Sequence, residues 1–189
     1  MKENSNITIV RLAQLALLTA ISIVLVALVH FPLIPGLQFL EYDPADIPIL
    51  IAALLFGSGP ALIVLFVASA IQAFIFGGNG WVGLVMHFVA SGALVVLTSA
   101  FYHRRHKFLD AIIGLVIGSL AMTALMIPMN YIFTVHVFGT PFEIVNASMW
   151  VGIVPFNLLK AGINSLGAAV LFKALSPFIR KHREMVNPV

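Results

Sequence analysis

Asn157, Lys160 and Asn164 interrupt a long apolar run, Val154-Pro-Phe-Asn-Leu-Leu-Lys-Ala-Gly-Ile-Asn164. At roughly 100° per residue, all three fall within about 60° on one helical face. The set offers hydrogen bonds. The amides donate and accept, while the ammonium only donates. An ammonium near the centre of a bilayer costs about 2.5–3.5 kcal/mol on insertion scales, so something inside the protein must offset it. Two readings follow. Lys160 pairs with Asp46 or Glu41 to hold helices together, or it meets a polar ligand. Asn130, Asn157 and Asn164 add donors and acceptors suited to a neutral polyol or amide, which favours the ligand.

The elements that must position this face are membrane helices. The chain has 189 residues, 61% hydrophobic and 9% charged. That composition fits a polytopic all-α membrane protein, read as one integral membrane domain over residues 1–189. The alternation of a membrane β-barrel is absent. Expected spans are 12–30, 44–56, 61–76, 81–102, 108–134 and 147–175. The first is too long for a signal-peptide core and is read as a retained span.

Loops and caps follow from Pro, Gly and polar residues. Phe31-Pro-Leu-Ile-Pro-Gly breaks the first helix, yet Phe31, Leu37, Phe39, Leu40 and Tyr42 keep this loop apolar. Such a loop packs over something or anchors in the interface. Asp43 is expected as an N-cap, Pro44 at the first helical position and Asp46 in the first turn. Gly57-Ser-Gly-Pro60 and Gly77-Gly-Asn-Gly80 read as turns. Residues 135–146 read as a polar loop, Pro155 should bend the last helix, and Ser176-Pro177 should end it. Ser69 and Gln72 share one face, as do His87 and Ser91; the simpler role for His87 is an interhelical hydrogen bond. Ala16-x-x-x-Ala20 is a small-residue spacing that permits close approach by another helix.

Charge sets the topology. Nine of the ten Lys and Arg residues lie in three segments: the N-terminus, Arg104 to Lys107, and Lys173 to Arg183. Six spans put all three segments on one side, and the positive-inside rule makes that side, with both termini, cytoplasmic. Glu41, Asp43, Asp46 and Glu143 are then expected at or near the outer face. The basic residues thus track the membrane, and no nucleic-acid partner is implied.

Several functions lack their residues. The chain has no cysteine, so thiol catalysis, disulfides and thiolate metal sites are excluded. There is no Walker A sequence, no HExxH spacing and no serine in a nucleophile-elbow context, so no catalytic or metal residue is assigned. Acids set too far out for a proton path argue against an autonomous secondary transporter. What is left is a membrane binding protein that acts as a passive facilitator or borrows a motor.

Four stretches resemble one family over nearly the whole chain. They are Phe31-Pro-Leu-Ile-Pro-Gly with Phe39-Leu40, Asp43-Pro-Ala-Asp-Ile-Pro48, Ala121-Met-Thr-Ala-Leu-Met with Asn130-Tyr131, and Gly152-Ile-Val-Pro-Phe-Asn-Leu-Leu-Lys160. They are similar to the S-components of energy-coupling factor (ECF) vitamin transporters, most of all the riboflavin-binding members. The resemblance implies a six-helix substrate-capture subunit of a prokaryotic plasma membrane. It implies as partners a membrane-embedded coupling protein, docked on Ala16 and Ala20, and two ATPases. It implies riboflavin as the transported ligand, with no cofactor. By the same resemblance Asn130, Asn157, Lys160 and Asp46 would hold its polar groups, and Leu37, Phe39, Leu40 and Tyr42 would cover its rings. S-components for other vitamins share the architecture, and a carboxylated substrate would also suit Lys160.

Overall fold

The computed structural model describes residues 2–34, 40–77 and 79–186, with side chains described from 9 to 177. The chain runs through α1 (Lys2–Leu28), a two-stranded ribbon of β1 (Phe31–Pro32) and β2 (Glu41–Tyr42), then α2 (Asp46–Phe56), α3 (Ser58–Ile75), α4 (Gly80–Arg105) and α5 (Phe108–Met129). A π-helical turn, Asn130–Thr134, extends α5. After a short connection come α6 (Phe142–Ser148), a second π turn (Met149–Ile153) and α7 (Val154–Val186).

Five stretches are long and apolar enough to cross a membrane: Ile9–Leu28, Ser58–Ile75, Gly80–Arg105, Phe108–Thr134 and Phe142–Pro177. The sixth element, α2, has 11 residues. It is apolar all round, as a helix enclosed by neighbours must be. Ile49, Leu50, Ala52 and Ala53 sit at the centre of the core, with Leu65, Leu94 and Ala161 around them. Many exposed side chains are large and apolar, such as Phe66, Phe74, Leu120, Trp150 and Leu166. That is the reverse of a water-soluble surface and suits a lipid-facing one.

The tightest helix pair is α4 with α5, and its cause is glycine. A Cβ on Gly118 would lie 3.0 Å from both Cα and O of Leu94, and one on Gly114 would lie 2.9 Å from the Cα of Thr98. Only hydrogen at these positions lets the two backbones meet.

Several boundaries differ from expectation. Asp43 does not cap α2; the N-cap position falls on Ala45, whose side chain makes no cap bond. Asp43 instead accepts the Ala45 N–H on Oδ1 at 3.1 Å and commits its other oxygen elsewhere. The turn before α3 shrinks to Gly57, at φ 92°. The last span begins with α6, so the polar loop expected over residues 135–146 is shorter. Pro155 lies just after a π turn, and Pro128 just before the other. A proline cannot donate to the preceding turn, and a local widening is one way a helix absorbs that loss. Pro177 does not end α7, which continues to Val186. One missing hydrogen bond near a helix end is not enough to stop it.

Candidate functional site

A cavity of about 450 Å³ opens between α3, α4, α5 and α7, with Leu40 and Glu41 at its margin. Its apolar wall includes Met86, Met122, Met126, Phe138 and Phe156. Its polar wall includes Gln72, His87, Asn130, Asn157 and Lys160. Apolar shape with a few convergent polar groups is the usual make-up of a small-molecule site.

The expected helical face at Asn157, Lys160 and Asn164 forms and points inward. All three side chains are buried, Lys160 at 8% exposure. The partner of Lys160 is Asp43, rather than Asp46 or Glu41. Its Nζ donates to Asp43 Oδ2 at 2.6 Å. Gln72 Nε2 donates to the same oxygen at 3.1 Å. Asn164 Nδ2 donates to the Asp43 carbonyl at 3.1 Å, and Tyr42 hydroxyl donates to Asn164 Oδ1 at 2.9 Å. The segment before α2 is thereby stitched to α7. Asp43 belongs to that segment and not to a spanning helix. Burial pushes its carboxyl up, but the Lys160 ammonium and His87 outweigh this, so it sits at about 2.

A second acid lies behind the cavity. Asp46 Oδ1 is 3.2 Å from His87 Nε2, and Ser91 hydroxyl donates to Asp46 Oδ2 at 3.2 Å. Ser69 Oγ is 3.1 Å from His87 Nδ1. His87 thus bridges α2, α3 and α4, the interhelical role its position suggested. Asp43 and Asp46 are 2% and 1% exposed. Both are buried between helices, as a pair that holds helices together requires. Pairing and hydrogen bonding make that burial tolerable.

The asparagines are half-used. Asn157 Nδ2 donates to the Ile153 carbonyl at 2.7 Å. Asn130 Nδ2 donates to the Met126 carbonyl at 2.8 Å, and its oxygen accepts from Thr134 at 3.2 Å. Each keeps acceptor capacity and one N–H. Gln72 is alike, with its nitrogen on Asp43.

Of the residues expected to bind ligand, Asn130, Asn157, Lys160 and Leu40 line the cavity. Asp46 does not, because His87 and Ser91 engage it. Tyr42 is buried against Asn164 and packs on Phe31, ring centroids 5.4 Å apart. Leu37 and Phe39 lie outside the described residues. Ala16 and Ala20 sit on an exposed face of α1, open to a partner helix. Among the described residues no cluster of three metal-ligating side chains occurs. Sequence reasoning missed Asp43, Gln72 and the methionines as parts of the site. Asp43 carried one signal: it is an acid beside an apolar helix, in a chain whose one intramembrane cation needed a partner.

The family model for the ECF transporter substrate-specific component matches residues 10–172. The riboflavin transporter RibU of Streptococcus thermophilus is 32% identical over 181 residues, covering 90% of this chain and 85% of that protein. The riboflavin transporter FmnP of Bacillus subtilis is 29% identical over 184 residues, covering 92% and 95%. Among solved structures, the S component of a bacterial ECF transporter superposes with a TM-score of 0.77 at 28% identity, covering 89% of this chain and 96% of that one.

Proposed function

The chain belongs to the substrate-specific components of ECF transporters, a family of transport subunits and not of enzymes, and from that premise we propose that it captures riboflavin from outside a prokaryotic plasma membrane. In this reading both termini are cytoplasmic. The Ala16 and Ala20 face docks on a membrane-embedded coupling protein, and two ATPases drive inward delivery.

One observation carries the reading. The cavity combines a mostly apolar lining with a few polar side chains, in a chain whose relatives are riboflavin transporters. The flavin ring system is flat and largely apolar, and Met86, Met122, Met126 and Phe156 offer it adaptable surface. Its imide edge and ribityl hydroxyls need buried partners. Asn130, Asn157 and Gln72 keep acceptors for N–H and O–H groups, and Lys160 keeps donors for carbonyls. Leu40, at the cavity margin, would cover part of the rings.

Reconstitution into liposomes tests the reading. Riboflavin uptake should require ATP and the coupling and ATPase subunits together with this chain. The buried Asp43 and Asp46 leave an ion-coupled carrier as the second reading, since the argument against it rested on acids lying outside the bundle. Uptake by this chain alone, driven by an ion gradient, would establish that alternative.

A further inference from the structure

Lys160 is the one Lys or Arg among the described residues lining the cavity. A site made for an anion would leave that ammonium free. Here it is bound, 2.6 Å from Asp43 Oδ2. Asp43 is itself fixed, by the Ala45 N–H on one oxygen and Gln72 on the other. The other ionisable groups nearby add no free positive charge. Glu41 lines the cavity, and His87 lies against Asp46. Tyr42 spends its hydroxyl on Asn164. Residues 35–39, next to Leu40, contain no ionisable side chain. Two buried carboxylates, Asp43 and Asp46, thus accompany one buried ammonium where charges are weakly screened, and the exposed Glu41 adds a third at the cavity margin.

We infer that Asp43 is a specificity-determining residue: by cancelling Lys160 it fits the cavity to an uncharged ligand and turns away anionic relatives of that ligand. The inference rests on the riboflavin reading and deepens it. A neutral flavin can still accept hydrogen bonds from the remaining Lys160 N–H groups. A flavin carrying a phosphate meets, among the described cavity-lining residues, no basic side chain without a carboxylate partner, and it meets Glu41 at the margin as well. The carboxylated substrate that a lone Lys160 would have suited is disfavoured for the same reason.

The test compares riboflavin with riboflavin 5′-phosphate by fluorescence quenching, on detergent-purified protein that elutes as a single species. Wild type should bind riboflavin at least about tenfold more tightly than its phosphate. Asp43→Asn keeps an oxygen for Lys160 but removes the negative charge, so the preference should shrink by about tenfold or more. Lys160→Gln has the opposite sign and should widen it, which covers the case that Asp43→Asn does not fold. The double variant restores the charge balance and should return the wild-type ratio. A ratio is the readout, because loss of packing weakens both ligands alike. An unchanged ratio in a folded single variant overturns the inference, as does equal binding of both flavins by wild type. Wild-type protein that binds neither flavin overturns the riboflavin reading instead.

Discussion

Lys160 and Asp43, 117 positions apart in sequence, are joined by a 2.6 Å hydrogen bond between Nζ and Oδ2. The contact ties α7 to the segment that leads from the two-stranded ribbon into the central helix α2. It serves stability and the site at once, because Lys160 also lines the cavity.

Breaking the pair from one side should therefore cost more than binding. Lys160→Ala leaves Asp43 buried without its cation, a loss of about 3–5 kcal/mol. Replacing both residues with uncharged ones, as in Lys160→Met with Asp43→Asn, should recover much of it. Thermal unfolding in detergent reads both, and equal melting of Lys160→Ala and wild type would contradict the role.

Asn157 makes a cleaner binding probe. Among the described residues its side chain makes one hydrogen bond, from Nδ2 to the Ile153 carbonyl in the π turn just before α7, 2.7 Å away. Asn157→Ala should weaken riboflavin binding by about tenfold, the value of one hydrogen bond of about 1.4 kcal/mol, with a small change in melting. Unchanged affinity would remove Asn157 from the site.

Acid should spare the Asp43 link over most of the range. Its carboxyl is held at about 2, below its ordinary 3.8, so the stability it contributes is present above pH 4 and lost as the pH falls toward 2. Unfolding of wild type and Asp43→Asn followed from pH 7 to pH 2 should show a gap that closes only below pH 4. A gap already closed at pH 5 would contradict the pairing.

Close contact of α4 and α5 gives a test of the scaffold. Gly118→Val would push into the Leu94 backbone, only 3.0 Å from where the first added carbon must go. Overpacking of this kind costs about 1–3 kcal/mol. The melting temperature should fall, and wild-type stability would show that the helices part without cost.

On α1, Ala16 and Ala20 are exposed and so replaceable without disturbing the cavity. Ala16→Trp and Ala20→Trp should leave riboflavin affinity unchanged yet block uptake when the partner subunits are present. Normal uptake in both variants would place docking elsewhere.

How far the sequence revealed this arrangement follows from the range of each interaction. The polar face of α7 was legible because helical spacing is local: Asn157, Lys160 and Asn164 repeat by three and four residues. The five long apolar helices and the shorter α2 were legible as apolar runs between Pro and Gly breaks. The partner of Lys160 was not, because three acids lay within plausible reach and only folding chose Asp43. The burial of Asp46 was hidden for the same reason; its contacts with His87 and Ser91 lie 41 and 45 positions away. The π turns escaped notice because Pro128 and Pro155 announce an irregularity but not its form. Gly114-x-x-x-Gly118 has the same small-residue spacing as Ala16-x-x-x-Ala20. Spacing alone does not say which stripe meets a helix of this chain and which stays exposed.

The most direct test of the central claim is a riboflavin titration of the detergent-purified protein, preceded by its visible absorption spectrum. Riboflavin capture predicts a yellow protein as isolated, or stoichiometric quenching of flavin fluorescence on titration. A colourless protein that leaves riboflavin fluorescence unchanged would contradict it, and would send the search to the other vitamins that this family carries.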